Sequence, residues 1–263
     1  MNPFTEIEVT PLFSKDGMKS QGKSVRILDP DEQSNWKELG VVSSNYLLVH
    51  NSKVKSAVDE IAGQSLFESW NERKLFFDGR RFVYAVTTED LTAEVTPGDL
   101  IRFGLIGYNS YDGSRALSIG MYAEHLVCSN GMTSETYFSR FTFRHHQGNI
   151  NWSEQVESAL TTILSGSREK LISFASNLNK LKRKRIDTSD LCQIRENHLS
   201  NFSVTHWGKI IDRFLTCEEH TAFGLMDACT RVFWHNEKQS YSDYRNNSDA
   251  TDSLIRYSER LLN

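Results

Sequence analysis

The chain has 263 residues, 38% apolar and 24% charged, with a formal net charge of −4. That length buries a substantial core in one large or two modest domains, and the overall acidity excludes a surface that is everywhere a field for polyanions, while leaving room for a local basic patch. No run reaches the ~20 apolar residues that span a bilayer, the first residues lack the basic start and apolar core of a secretory signal, and the four cysteines, Cys128, Cys192, Cys217 and Cys229, show no pairing rhythm, so a cytoplasmic protein with reduced thiols and no membrane partner is expected.

Residues 1–23 read as an extended arm, with Val25–Leu28 as a short strand and Tyr46–Val49 as a second apolar run. Asn51 or Ser52 then caps a helix whose apolar positions Val54, Ala57, Val58 and Ile61 share one face, and Gly63 stops it. From Arg73 the period becomes two. Leu75–Phe77 and Arg80–Val86 flank Asp78-Gly79, a favoured hairpin turn. Pro97-Gly98 introduces a second hairpin, Leu100 to Gly131, which turns at Asn109–Gly113 and ends in the corner Cys128-Ser129-Asn130-Gly131. Tyr137–His146 alternates as a last strand, with Phe138, Arg140 and Arg144 on one face.

Near Gly148 the pattern changes. Asn151 and Glu154 have capping-box spacing, and Trp152, Val156, Leu160, Ile163, Leu171, Phe174, Leu178 and Leu181 draw one apolar stripe across roughly thirty residues, broken or bent at Gly166. Helices follow at Leu191–Leu199, Val204–Leu215, Ala222–Trp234 and Ser253–Leu262, with Asn236–Ala250 as a polar loop. The fold class expected is α+β: a mostly antiparallel sheet with one early helix, then a helical C-terminal half. The domain reading is an arm at 1–23, a β-rich domain at 24–148 and a helical region at 149–263.

The run Tyr108-Asn-Ser-Tyr-Asp-Gly-Ser-Arg-Ala116, followed by Leu126-Val-Cys-Ser-Asn-Gly131, resembles a phage- and plasmid-borne family catalogued as domain of unknown function nine hundred and thirty-two. Tyr111 stands where that family's pattern carries histidine, so no role of that histidine transfers. His220-Thr-Ala-Phe223, Ala228-Cys-Thr230 and His235 resemble the family's threonine-rich helix ending in histidine. The resemblance implies mobile-element DNA biology in a bacterial host and names no reaction.

Among residues able to carry chemistry, the basic ones come first. Lys180, Lys182, Arg183, Lys184 and Arg185 form the densest basic cluster of an acidic chain. Such a run fits phosphate contact and equally a solvated helix terminus whose cations complement the helix dipole. On the sheet, Arg140 and Arg144 lie about 13 Å apart at strand rise, within the reach of two phosphates. Arg102 and Arg115 join them if neighbouring strands pair in order. Phe138 on that face suits either base stacking or the core, and the arginines have Glu124 and Glu135 as alternative partners. His125-x-x-Cys128, Cys217-x-x-His220 and His145-His146 complete no zinc pattern. Asn109, Asp112 and Asn130 read as turn-formers that bond their own backbone. There is no GxxxxGK[ST] loop, so neither a cofactor nor a metal is expected.

The function these residues point to is non-enzymatic nucleic-acid binding, DNA rather than RNA, in single-strand binding or annealing during recombination. A homo-oligomer is the expected working form. The alternatives are a factor that binds a host protein through its helical half, and a metal-dependent nuclease using Asp78, Asp99, Asp112 and Glu124.

Overall fold

Short alternating apolar patterns build two sheets in the front of the chain, and helical apolar stripes build the back. The computed structural model describes residues 2–28, 35–127, 129–143, 151–217, 220–235 and 241–260. The elements are β1 (Ile7–Phe13), β2 (Lys19–Leu28), β3 (Trp36–Ser43), α1 (Asn51–Gln64), β4 (Trp70–Phe77), β5 (Arg81–Thr96), β6 (Asp99–Ser110), β7 (Ser118–His125), β8 (Asn130–Met132), β9 (Arg140–Thr142), α2 (Trp152–Leu164), α3 (Ser167–Arg183), α4 (Thr188–Asn197), α5 (Val204–Leu215), α6 (Ala222–Trp234) and α7 (Tyr241–Arg260). The protein is therefore α+β, with antiparallel pairing throughout the β1–β2–β3 sheet. The second sheet runs β4-β5-β6-β7-β8, and β9 also pairs with β7.

Two compact units emerge: Met1–Thr88, Leu105–Gly120 and Arg140–Ser165 form the first, and Glu89–Gly104, Met121–Ser139 and Gly166–Asn263 the second. The boundary expected near Gly148 lies outside the described residues. In the first unit, the stretch read as an arm carries β1 and the start of β2. Ile7, Val25, Ile27, Leu39, Val42 and Tyr111 close over one another as a buried apolar cluster, and each such side chain stabilises by roughly 1.5–3 kcal/mol relative to exposure. Helix α1 buries the face its spacing indicated, Val54, Ala57, Val58 and Ile61. Its side-chain cap comes from neither Asn51 nor Ser52: the Asn51 N–H donates to the Tyr111 hydroxyl at 2.9 Å. Gly107 lets α1 approach β6, because a Cβ there would sit 2.8 Å from a Val58 methyl. The turn before β5 is as read, with Asp78 Oδ1 accepting from the Arg80 and Arg81 N–H groups, both at 2.8 Å.

The strand expected over 137–146 is reduced to Arg140–Thr142 among the described residues. Upstream of it, the Tyr137 N–H is taken by Ser134 Oγ at 2.9 Å in a local turn, and Phe138 packs on Phe174 with centroids 4.6 Å apart. The long apolar stripe divides at Gly166, whose φ of +65° ends α2 and starts α3. Asn151 bonds the Glu154 carboxylate at 2.7 Å instead of capping a backbone amide.

In the second unit, α6 is buried along most of its length and packs against α3, α5 and α7. The polar loop expected over 236–250 is overturned for its described part: residues 241–250 are the first half of α7. The reason is a buried polar face. Asn247 Nδ2 donates to the Gly131 carbonyl at 2.8 Å and its Oδ1 accepts from the Thr133 N–H at 3.1 Å, while Asp252 accepts from the Ser134 hydroxyl and the Glu135 N–H. Side chains that periodicity scores as solvent-facing here replace water for a non-helical backbone segment. Burial outweighs these hydrogen bonds and raises the Asp252 carboxyl above its ordinary range.

Candidate functional site

The last turn of α3 sorts the basic run by direction. Leu171, Phe174, Leu178 and Leu181 are buried, so their helical phase turns Lys180 and Arg183 outward. Lys180 is exposed and donates to Asn177 Oδ1 at 3.0 Å. Beyond the helix the backbone is pinned to the start of α6: the Lys184 carbonyl accepts from the Ala222 N–H at 2.8 Å, the Ile186 N–H donates to the His220 carbonyl at 2.9 Å, and Arg185 bridges Thr221. With its backbone held, Arg185 is exposed, as is Arg183, and Lys184 is half-buried. Among the described residues, none of Lys180, Arg183, Lys184 and Arg185 forms an ion pair.

Lys182 behaves differently. Its ammonium lies 2.5 Å from Asp99 Oδ2, 3.3 Å from Thr96 Oγ1 and 4.9 Å from the centre of the Phe223 ring. Asp99, at the first position of β6, also meets His125 Nε2 from the end of β7. The His125 ring stands edge-on to Phe223 at 5.4 Å. Burial acts to raise the Asp99 carboxyl, but the Lys182 hydrogen bond and the neighbouring His125 together outweigh it and hold the group below the usual carboxylate range.

Asp99, His125 and Lys182 border a cavity of about 340 Å³, together with Cys217, Phe223 and Asp227. Asp227 is held from β8, where Asn130 Nδ2 donates to its Oδ1 at 2.8 Å. The Cys217 thiol faces the Arg213 carbonyl at 3.3 Å, and burial followed by the Asp227 charge raises its pKa. That environment favours the thiol over the nucleophilic thiolate.

The remaining sequence-derived residues disperse. Arg102 is buried in the second unit, its Nε 2.6 Å from Glu124 Oε2 and a second nitrogen 3.2 Å from Glu89 Oε1. Arg115 and Arg140 do come together in the first unit, their guanidinium carbons 4.4 Å and 5.4 Å from the centre of the buried Tyr108 ring. Arg144, Cys128, His145 and His146 lie outside the described residues. Phe138 is a core residue rather than a stacking platform. Of the carboxylates considered for a nuclease, Asp78 caps its turn, Asp112 accepts from the Ser114 N–H at 2.9 Å and lies 3.9 Å from Arg81, and Glu124 holds Arg102. No group of three His, Cys, Asp or Glu side chains among the described residues is arranged to hold a metal.

Two asparagines read as local turn-formers reach much further. Asn109 donates to the Val49 carbonyl at 2.8 Å and to Asn51 Oδ1 at 2.9 Å, joining β6 to the start of α1. Asn130 holds Asp227 on α6. Of the cavity residues, the sequence raised His125 only as half of a His-x-x-Cys pair and Asp99 only as one of four scattered carboxylates, and it did not single out Asp227, because the three are distant from one another along the chain.

The family model described as Domain of unknown function (DUF932) matches residues 38–257. Neither a curated protein nor a solved structure matches the chain significantly.

Proposed function

Since the chain belongs to the DUF932 family, whose description assigns no activity, we propose from the residues themselves that it binds nucleic acid, with single-stranded DNA as the ligand. The observation that carries this reading is the exposed basic run at the end of α3. Three exposed cations, Lys180, Arg183 and Arg185, stand without ion-pair partners among the described residues on a backbone fastened to α6, beside the half-buried Lys184, whose charge acts on Asp190. Mutually repelling cations held on a fixed backbone suit an anion that brings its own regular charge spacing, and a phosphodiester chain does so. The proposal extends to strand handling in mobile-element DNA, the biology that the sequence resemblance implies. Arg102 has no part in it, because its guanidinium is buried and already paired with Glu124 and Glu89.

The test is binding of labelled single-stranded and duplex oligonucleotides by the full chain across a salt series. Replacing Lys180, Arg183 and Arg185 together by alanine is expected to weaken binding and to lower the slope of log K against log salt by about 2, at about 0.7 per lost single-strand phosphate contact. Weak binding with the same slope in the wild type and the triple variant overturns the proposal.

A further inference from the structure

The hairpin of β1 and β2 carries one sheet face out of the core of the first unit. On that face Ile7 pairs with Ile27 and Val9 with Val25, and Ile7, Val25 and Ile27 are buried. Farther along the same strands Pro11 pairs with Lys23 and Phe13 with Lys19, and alternation keeps Lys19, Lys23, Val25 and Ile27 on one side of β2. There the cover ends: Phe13 is 63% exposed, and Met18, just past the turn, 70%. We infer that Phe13 is a stacking platform for an unpaired base of a DNA single strand, and that Lys19 and Lys23 on the same face hold phosphates of that strand. The inference rests on the nucleic-acid reading above and adds a contact in the first unit.

An exposed ring within a positive field is the combination that binds single strands. Phe13 meets no other aromatic ring among the described residues, and none of Lys15, Lys19 and Lys23 forms an ion pair there. Residues 11–23 carry those three lysines against one acidic residue, Asp16, in a chain whose net charge is −4. Phe13 stands opposite Lys19, with cross-strand Cβ atoms about 5 Å apart, and Lys23 lies about 13 Å beyond Lys19 at strand rise. A base on the ring therefore has one phosphate beside Lys19 while the strand continues toward Lys23.

The platform is held still. In the turn the Ser14 N–H donates to the Met18 carbonyl at 2.7 Å, the Gly17 N–H to the Ser14 carbonyl at 2.9 Å and the Met18 N–H to Ser14 Oγ at 3.2 Å. Gly17 takes the φ of +78° that this turn requires. On the opposite face Leu12 and Val41 close over Gly22, where a Cβ would lie 3.0 Å from a Val41 methyl and 3.5 Å from a Leu12 methyl. A surface fixed before binding loses little entropy when a ligand arrives.

A bilayer fits this hairpin less well. Ser14, Lys15, Asp16 and Gly17 form its tip between Phe13 and Met18, so charged groups would leave water before the apolar ones. The ring lies on the flank, where a strand crossing β1 and β2 reaches it. In a duplex the bases are already stacked on one another, so the platform takes unpaired bases. Every base has a π-face, so it takes them without regard to sequence.

The experiment is fluorescence anisotropy of the full chain with oligo(dT) and with an abasic oligonucleotide of equal length, which keeps the phosphates and lacks the bases. The wild type is expected to prefer oligo(dT) by about tenfold, within the range that one stacked base contributes. Phe13→Ala, an exposed substitution whose urea midpoint should match the wild type, is expected to bring that preference within about twofold and leave abasic binding unchanged, whereas Phe13→Trp keeps it. Replacing Lys19 and Lys23 together by alanine weakens both oligonucleotides alike and lowers the slope of log K against log salt by about 1.4, at about 0.7 per lost contact. Equal wild-type affinity for the two oligonucleotides, or a preference that survives Phe13→Ala, overturns the platform and leaves the contacts at the end of α3 standing. So does a Phe13→Ala variant that keeps the preference but loses binding to phosphatidylserine vesicles or dissociates from a dimer to a monomer, which would assign the face to a membrane or to a second copy. Failure of the wild type to bind either oligonucleotide overturns the nucleic-acid reading and the platform with it.

Discussion

Two asparagine corners look alike in the sequence and do different work in the two units. Asn109 and Asn130 both sit near a turn, both are fully buried, and both send their amide nitrogen to a helix distant in the chain. Asn109 bonds a carbonyl and another amide, and the nearby Tyr111 hydroxyl takes the Asn51 N–H, so this corner is a neutral network that fastens α1 to the first unit. Asn130 bonds a carboxylate that also faces a cavity. The same side chain thus secures the fold in one unit and positions a chargeable group in the other. The partner, not the asparagine, makes the difference.

The largest expected effect is at the neutral corner. Asn109→Ala removes two buried hydrogen bonds and leaves the Val49 carbonyl and Asn51 Oδ1 without that donor, so a loss of about 3 kcal/mol is expected in urea unfolding. Oligonucleotide affinity should be unchanged wherever the protein remains folded. In the second unit, Gly131→Ala would place a Cβ 2.5 Å from the Trp234 ring, an overpacking expected to cost about 2 kcal/mol. Asn130→Ala is milder in stability, about 1 kcal/mol in urea unfolding, because it removes one donor to the Asp227 side chain while Asp227 keeps a further interaction. A loss as large as that of Asn109→Ala would break the comparison.

The two corners also separate by pH. Burial pushes the Tyr111 phenol up to about 12, against a smaller opposing effect of the Asn51 N–H. A raised folded value contributes stability that is complete below the unfolded value of about 10 and is lost as pH rises toward about 12. Asp99 has the opposite sign. Its depressed folded value contributes stability that is complete above the ordinary carboxylate range near pH 4 and is lost as pH falls through the folded value. Unfolding midpoints of Tyr111→Phe and Asp99→Asn should therefore converge on the wild type at opposite ends of the scale, the first in alkali and the second in acid. Convergence of both at the same end would remove the distinction.

Much of the architecture is legible without coordinates. The buried faces of α1, α5 and α6, the Asp78-Gly79 turn and the break at Gly166 follow from local periodicity and backbone preference, which act over a few residues. The first half of α7 is not legible, because Asp243 and Asn247 are polar yet buried, and the partners of Asn247 on residues 131–133 lie more than a hundred positions away. The site divides the same way. That residues 180–185 carry a concentrated positive charge is plain from their identity, whereas nothing local distinguishes Lys182 from the lysine two residues on either side of it.

The sequence by itself determined the α+β class, the turn positions, the family and the location of the cationic run, since each depends on residue identity or on spacing along the chain. Only the tertiary structure decided which charges face outward. Arg102 went to Glu124, Lys182 to Asp99 and Asn130 to Asp227 because strands and helices far apart in sequence converge there. A buried charge is stable only beside the opposite charge or a hydrogen-bond partner that the fold brings to it.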